Sequence, residues 1–263
     1  MLREKLIRKV ISYNLLRNPF LYKISKRYVD AYNNNNNGNI YSNGEFYFLK
    51  KYIDRSKLIF DVGANIGEWA EIALSLNSTI DLHCFEPSSN SFSTLSKKGL
   101  IGNVTLNNFG LSSKPEDKSL FIFDDNSPLN SLWKRSGLKS YGLSTPCREE
   151  KVRLETLDDY CSTHEIAQVD TLKIDVEGHE LEVLKGGENL LKFEKINFIQ
   201  FEYGGTYIDS KTFLKDIFEY FDEFNYLFYK FYPNKLLLVD SYDVKFEDFQ
   251  YQNWAIIRKG LNI

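Results

Sequence analysis

The chain has 263 residues, 43% hydrophobic and 26% charged, enough for one large α/β domain or one domain with a small extension. That balance excludes wholesale disorder and fibrous repeats, and a net charge of -3 excludes a chain-wide basic surface for nucleic acid. Three cysteines without a C-x-x-C pair, no run of about 18 apolar residues and no signal-peptide start set the expectation of a cytoplasmic protein with no disulfide framework, zinc site or membrane span.

Residues 1–29 hold eight Lys/Arg against the single acid Glu4, a net +7 that leaves -10 on the rest. Leu2, Leu6, Ile7, Val10 and Ile11 recur at helical spacing, so the segment reads as a basic amphipathic helix broken near Pro19. Two roles fit it: peripheral docking on an anionic membrane face, or a helical extension packed on the domain. The Asn run 33–37, closed by Gly38, reads as a loop without core-forming residues. Residues 1–57 thus form an extension and residues 58–263 the main domain.

From residue 58 short apolar runs alternate with helical stretches. Strands are expected at 58–62, 80–85, 104–109, 171–176 and 197–202, with helices at 67–76, 88–98 and 179–193. Runs buried on both faces with intervening helices predict a mostly parallel sheet. An insertion holds two β-like runs, 119–123 and 151–157, around a polar loop, 124–148, long enough for a lid. Helix 210–224 turns Phe213, Leu214, Ile217, Phe218, Phe221 and Phe224 to the core, and runs 226–231, 235–239 and 254–258 supply late strands including an antiparallel pair.

The sharpest local feature is LIFDVGANIGEWA, residues 58–70: a strand, a glycine turn through Gly63, Ala64, Asn65, Ile66 and Gly67, then a helix. Open parallel sheets bind ligands at the carboxyl ends of their strands, and a turn glycine lets backbone N–H groups approach one. The turn lacks the G-x-G-x-x-G of a pyrophosphate loop, and Asp61 beside it would repel phosphate and welcome a cationic amino group. Glu86 ends the second strand 23 residues after Gly63, placed to accept hydrogen bonds from two ribose hydroxyls. Asn107 and Asn108, ending the third strand, stand where an adenine would reach, although turn-forming Asn fits equally. Asp175 and Glu177 stand at the end of the fourth strand, Gly178 marks the turn, His179 and Glu180 lead into the next helix, and the fifth strand ends in Glu202. One of Asp175, Glu177, His179 or Glu202 would take a hydroxyl proton; the carboxylates could instead hold a divalent metal, though no spacing demands one. Glu180 also suits a helix first turn, and Lys173 an ion pair with a neighbouring acid. Tyr203, Tyr207 and Trp133 are candidate substrate walls.

Four segments, DVGANIG, CFEP, LKIDVEGHELEVLKGG and FIQFEYGG, with VRLETLDDY upstream, resemble the FkbM-type methyltransferases over residues 58–205. The resemblance implies a Rossmann-like class I S-adenosylmethionine-dependent methyltransferase fold, with a seven-stranded mostly parallel sheet whose last strand is antiparallel. It implies O-methylation of sugars or natural products. Asp61, Gly63, Asn65 and Gly67 match the family's cofactor loop, Glu86 its ribose acid, and Asp175, Glu177 and Glu180 its D-x-E-G-x-E segment; the catalytic base is not transferred. The acceptor expected is therefore a saccharide or other small hydroxyl-bearing molecule, such as a surface polysaccharide or lipid-linked glycan, and not nucleic acid. A nicotinamide-dependent sugar oxidoreductase and an inactive binding subunit of the same fold remain alternatives, and the oligomeric state is left open.

Overall fold

The computed structural model describes residues 18–135 and 148–261. The apolar stripe of residues 2–11, Cys147 and the middle of the 124–148 loop lie outside them. The break expected near Pro19 is a helix start: α1, Pro19–Asn33, opens after an extended Asn18 whose side chain accepts from the Phe20 and Leu21 N–H groups, and proline tolerates the first helical position because its missing donor has no partner there anyway. The Asn run is not a loose loop either. Asn34 sits in the left-handed region and donates to the carbonyls of Asn43 (2.7 Å) and Phe231 (3.1 Å), and Asn35 donates to Asp248 (3.0 Å).

Helix α2, Glu45–Tyr52, follows, and Phe48, Leu49 and Tyr52 are buried. Tyr52 stacks on Phe198 at 4.4 Å and Phe48 lies 5.1 Å from Phe231, so this helix packs directly on the sheet. Then come β1 (Leu58–Val62), α3 (Glu68–Leu76), β2 (Asp81–Phe85), α4 (Ser89–Lys97) and β3 (Asn103–Asn107). Short β4 (Gly110–Leu111), β5 (Glu116–Ile122) and β6 (Arg148–Glu155) make a separate three-stranded sheet, the two longer strands antiparallel as an insertion. After α5 (Leu157–Thr163) and β7 (Val169–Ile174), the helix expected at 179–193 is two: α6 (Glu180–Lys185) and α7 (Glu188–Lys192). The break is at Gly186 and Gly187; a side chain at Gly186 would strike the Ser112 carbonyl, so the chain gives up helix continuity for close packing. Next are β8 (Ile196–Tyr203), α8 (Thr206–Ser210), α9 (Leu214–Tyr220), β9 (Tyr226–Tyr232), β10 (Lys235–Val239) and β11 (Gln252–Arg258).

The main sheet has the order β10-β9-β11-β8-β7-β1-β2-β3. The strands from β3 to β8 are mutually parallel, and β11 runs antiparallel between β8 and β9. These are the seven strands of the class I methyltransferase fold. The sheet has eight because β9 turns back through Pro233 and Asn234 into β10, a second antiparallel strand. Both faces are covered: Ile59 and Leu82 pack under α3 and α4, whereas Phe60, Val62 and Leu172 join the cluster with α6, α7 and α9. The central strands are mostly apolar on both faces for that reason. No described helix is long and apolar enough to cross a membrane.

The packing of α2 sets an expectation. Phe48→Ala should lower unfolding free energy by about 3–5 kcal/mol in urea denaturation, whereas Ile101→Ala, at a position 85% exposed, should stay within about 0.5 kcal/mol of the parent.

Candidate active site

The carboxyl ends of β1, β2, β7 and β8 meet at one cleft, and a buried lysine organises it. Asp61 of β1 and Lys173 of β7 are paired in register. The Lys173 ammonium lies 3.0 Å from Asp61 Oδ1 and 3.5 Å from Asp175 Oδ2, and donates to the Gly63 carbonyl at 3.4 Å. Burial opposes this charge, but Asp61 and Asp175 outweigh it and raise the pKa above the ordinary lysine value. Asp61, expected to face a ligand's amino group, is fully buried and ion-paired with this lysine through Oδ1, while its Oδ2 has no hydrogen-bond partner among the described residues. Gly63 has a positive φ of 80°, and a side chain there would run into the Asp175 carbonyl, not into ligand space. Its glycine requirement therefore comes from the β1–β7 approach. Gly67 is held to glycine by its own φ of 80°; a side chain there would meet only the tip of the Leu95 side chain of α4.

The loop after β1 is tied to the end of β2 by Glu86. One carboxylate oxygen accepts from the Asn65 N–H and the other from the Ser88 N–H, both at 2.8 Å. Burial pushes its pKa up to about 7 against these two donors. Glu86, Gly63, Ala64 and Asn65 line the cleft. Asn65 Oδ1 and Trp69 Nε1 are buried there with no hydrogen-bond partner among the described residues. Asn108 does not join them: it is exposed, and its amide donates to the Glu86 carbonyl at 2.9 Å. Asn107 likewise donates to the Cys84 carbonyl at 3.1 Å.

Across the cleft, Asp175, Glu177 and Glu202 bring carboxylate oxygens within 4.8 Å of one another. Glu177 reaches this point through a left-handed turn, φ 54° at Glu177 and 97° at Gly178, a conformation costing a non-glycine residue about 1 kcal/mol or more. The turn is held from three sides. Glu180 accepts from the Val176 and Gly178 N–H groups, Ser131 Oγ donates to the Glu177 carbonyl and Trp133 Nε1 to the Gly178 carbonyl. Arg135 pairs with the Glu177 carboxylate at 3.2 Å. Burial, then Asp175, push the Glu177 pKa up to about 8 against Arg135, and burial with the surrounding carboxylates raises Glu202 well above its usual range. Like charges this close do not all ionise together.

His179, expected with these acids, stands apart from their convergence. It is buried, its Nε2 meets Ser112 Oγ at 2.9 Å, and burial lowers its pKa to about 4, so it is neutral at pH 7. Tyr203 and Tyr207 are not cleft walls. Strand alternation that turns Glu202 to the cleft turns Tyr203 to the core, where its hydroxyl donates to Glu247, and the Tyr207 hydroxyl donates to the Glu202 carbonyl. Trp133 braces the Glu177 turn. Tyr251 and Trp69 line the cleft instead.

Glu45 is a site residue the sequence reading missed. It opens α2, lines the cleft and accepts from Asn43 (2.7 Å), Gln200 (2.6 Å) and Asn253 (3.3 Å). The cleft has a volume of about 1070 Å³. Its loop side offers unpartnered polar atoms, and its acid side can take up a proton or hold a divalent cation with hard oxygen ligands.

The family model described as "Methyltransferase FkbM domain" matches residues 61–228. The chain belongs to this family. Over 155 residues it is 29% identical to the hexuronic acid methyltransferase AglP of Haloferax volcanii, an alignment covering 57% of each chain, so the match spans little more than half the length of that relative. A solved FkbM methyltransferase from Methylobacillus flagellatus is 16% identical, covering 76% of this chain and 43% of that one, with a TM-score of 0.47. A putative O-methyltransferase from Klebsiella pneumoniae is 10% identical, covering 95% and 94%, with a TM-score of 0.45.

Lys173→Met should destabilise the protein by about 3–5 kcal/mol, because Asp61 is left as an uncompensated buried charge. The double variant Lys173→Met with Asp61→Leu should recover most of that loss in the same denaturation experiment. The carboxyl groups give a pH signature. A raised folded pKa means the native state binds more protons than the unfolded chain, so stability falls as pH rises. Between pH 6.5 and 8, above the titration of an ordinary histidine and up to the Glu177 value, the melting temperature should fall. Glu177→Gln should flatten the slope.

Proposed function

We propose that this protein transfers a methyl group from S-adenosylmethionine to a hydroxyl of a saccharide, in the cytoplasm. The acceptor class is a sugar of a surface polysaccharide or a lipid-linked glycan. Family membership supports the reaction, and the name of the Haloferax volcanii relative supports a sugar acceptor. The observation that carries the reading is the meeting of Asp175, Glu177 and Glu202 across one cleft from the Glu86–Asn65 loop.

The residues fit the cofactor. Glu86 keeps lone pairs for two ribose hydroxyls after accepting its two backbone donors, and the buried Asn65 Oδ1 lacks a partner that a ligand donor would supply. When bound, S-adenosylmethionine supplies a sulfonium-borne methyl group. Gly63, Ala64 and Asn65 would form the floor under it. Glu202, its pKa raised by burial and then by the neighbouring carboxylates, would accept the acceptor's hydroxyl proton in its ionised form. Arg135 orients Glu177, and Lys173 orients Asp175. The three acids would also satisfy a divalent cation, which would add to the pull on the acceptor oxygen. A nicotinamide cofactor fits less well: its pyrophosphate needs close glycines and a helix N-terminus without acids, and here Glu68 and Glu71 occupy the first turn of α3.

Thermal unfolding tests the reading. S-adenosylhomocysteine at 100 times its Kd should stabilise the protein by about 2.7 kcal/mol, and NAD should have no effect. Glu202→Gln should keep that shift and lower kcat on a true acceptor by about 10²–10⁴-fold. A wild-type rate in this variant would remove Glu202 as the base. Activity lost with EDTA and restored by a divalent cation would assign the metal role to the three acids.

A further inference from the structure

Among the described α-helices, α1 alone buries no residue. Its exposure is not that of a polar helix. Phe20, Leu21, Ile24, Tyr28 and Tyr32 are 47% to 71% exposed. Steps of three and four residues bring them to one continuous side. Lys23, Lys26, Arg27 and Asp30 occupy the other. A monomeric soluble domain rarely leaves such a stripe open to water. The helix is nonetheless anchored. Lys26 reaches Gln250 Oε1 at 3.5 Å, and the segment that follows α1 is pinned by the Asn34 and Asn35 side-chain bonds. α1 is therefore held to the domain in a set direction with its apolar side exposed.

Two features identify what covers it. The first is charge: residues 1–29 carry +7 and the remainder -10, so an anionic partner would attract this segment and be repelled by the body. The second is composition: Phe, Leu and Ile for the acyl boundary, tyrosines for the headgroup level, and Lys and Arg stems able to reach the phosphates. We infer that α1 lies in the headgroup layer of an anionic bilayer. Lys26 of α1 and Asn36, Gly38 and Ile40 just beyond it line the same cleft as Glu86 and Glu202. The docked helix thus holds the cleft mouth at the lipid surface, where an acceptor carried on a lipid would enter. The membrane contact stands without the methyl-transfer reading; only the delivery of the acceptor rests on it.

Sedimentation of the full-length protein with vesicles tests this. It should pellet with phosphatidylglycerol–phosphatidylcholine vesicles at low salt, stay in solution with pure phosphatidylcholine, and be released from the anionic vesicles at 1 M salt, where screening is complete within a few ångströms. Lys23→Gln with Arg27→Gln should weaken partitioning about 30-fold, from roughly one decimal order for each 1.4 kcal/mol and about 1 kcal/mol per basic residue. The triple variant Phe20→Ser, Ile24→Ser and Tyr28→Ser should weaken it by more than about tenfold. Both variants should bind S-adenosylhomocysteine as the parent does, which shows that they are folded. Equal pelleting of parent and triple variant overturns the inference, as does equal binding to neutral and anionic vesicles. A dimer that the triple variant dissociates, with no vesicle binding by the parent, assigns the stripe to a second copy of this chain instead. Vesicle binding without S-adenosylhomocysteine binding would sink the methyltransferase reading and leave this one standing.

Discussion

The site depends on one buried ammonium. Lys173 lies inside the sheet, 3.0 Å from one aspartate and 3.5 Å from another, and also donates to the carbonyl of the first loop glycine. Removing such a charge from water costs several kcal/mol, and only good geometry with further hydrogen bonds offsets it. Strand register supplies that geometry. Because Asp61 and Lys173 are paired neighbours on β1 and β7, a slip of one residue would turn the ammonium to the opposite face. The ion pair and the loop above it are thus fixed by the same ladder.

From this point the cleft divides into two halves with different electrostatics. On the loop side, Glu86 is held by two backbone donors and shapes the turn through Asn65. On the acid side, carboxyl groups from β7, β8 and α2 crowd together and meet Lys173 and Arg135. Burial and mutual repulsion raise the pKa values of Glu177, Glu202 and Glu45. A proton or a cation arriving at this side relieves repulsion already present in the free protein, which is how a group becomes a base near neutral pH.

Much of this was legible in the sequence because it was local. The strand–glycine–helix pattern around Gly63, the acid at the end of β2 and the acids after β7 and β8 all stand where the chain order put them. The mostly parallel sheet followed from runs buried on both faces, and its seven-strand core from the family resemblance. What escaped was long-range or steric. Nothing near Asp61 shows that its partner is 112 residues away, so it read as a ligand contact. Gly63 read as open space for a ligand because the approaching Asp175 backbone belongs to another strand. Tyr203 was misplaced by alternation at the end of a strand that runs one residue further than its pattern indicated, and Tyr207 because it lies in the short helix α8, which carries it into the core. Glu45 and Arg135 lie in segments without a motif, and only the folded chain brings them to the cleft.

The reach of Glu45 has a consequence for how the protein comes into being on the ribosome. Its carboxylate is satisfied by Asn43 beside it, by Gln200 and by Asn253, which is 208 residues further along the chain. The part of the sheet built from β1, β2 and β3 can pair as soon as Asn107 has emerged. The acid side cannot: β8 and then β11 must arrive before the buried carboxyl at the start of α2 has its partners. Contacts of such high sequence separation form late, because the loop-closure entropy comes before the reward. The nascent chain therefore carries an incomplete cleft until β11 has joined the sheet, and ligand binding would report on the arrival of that strand.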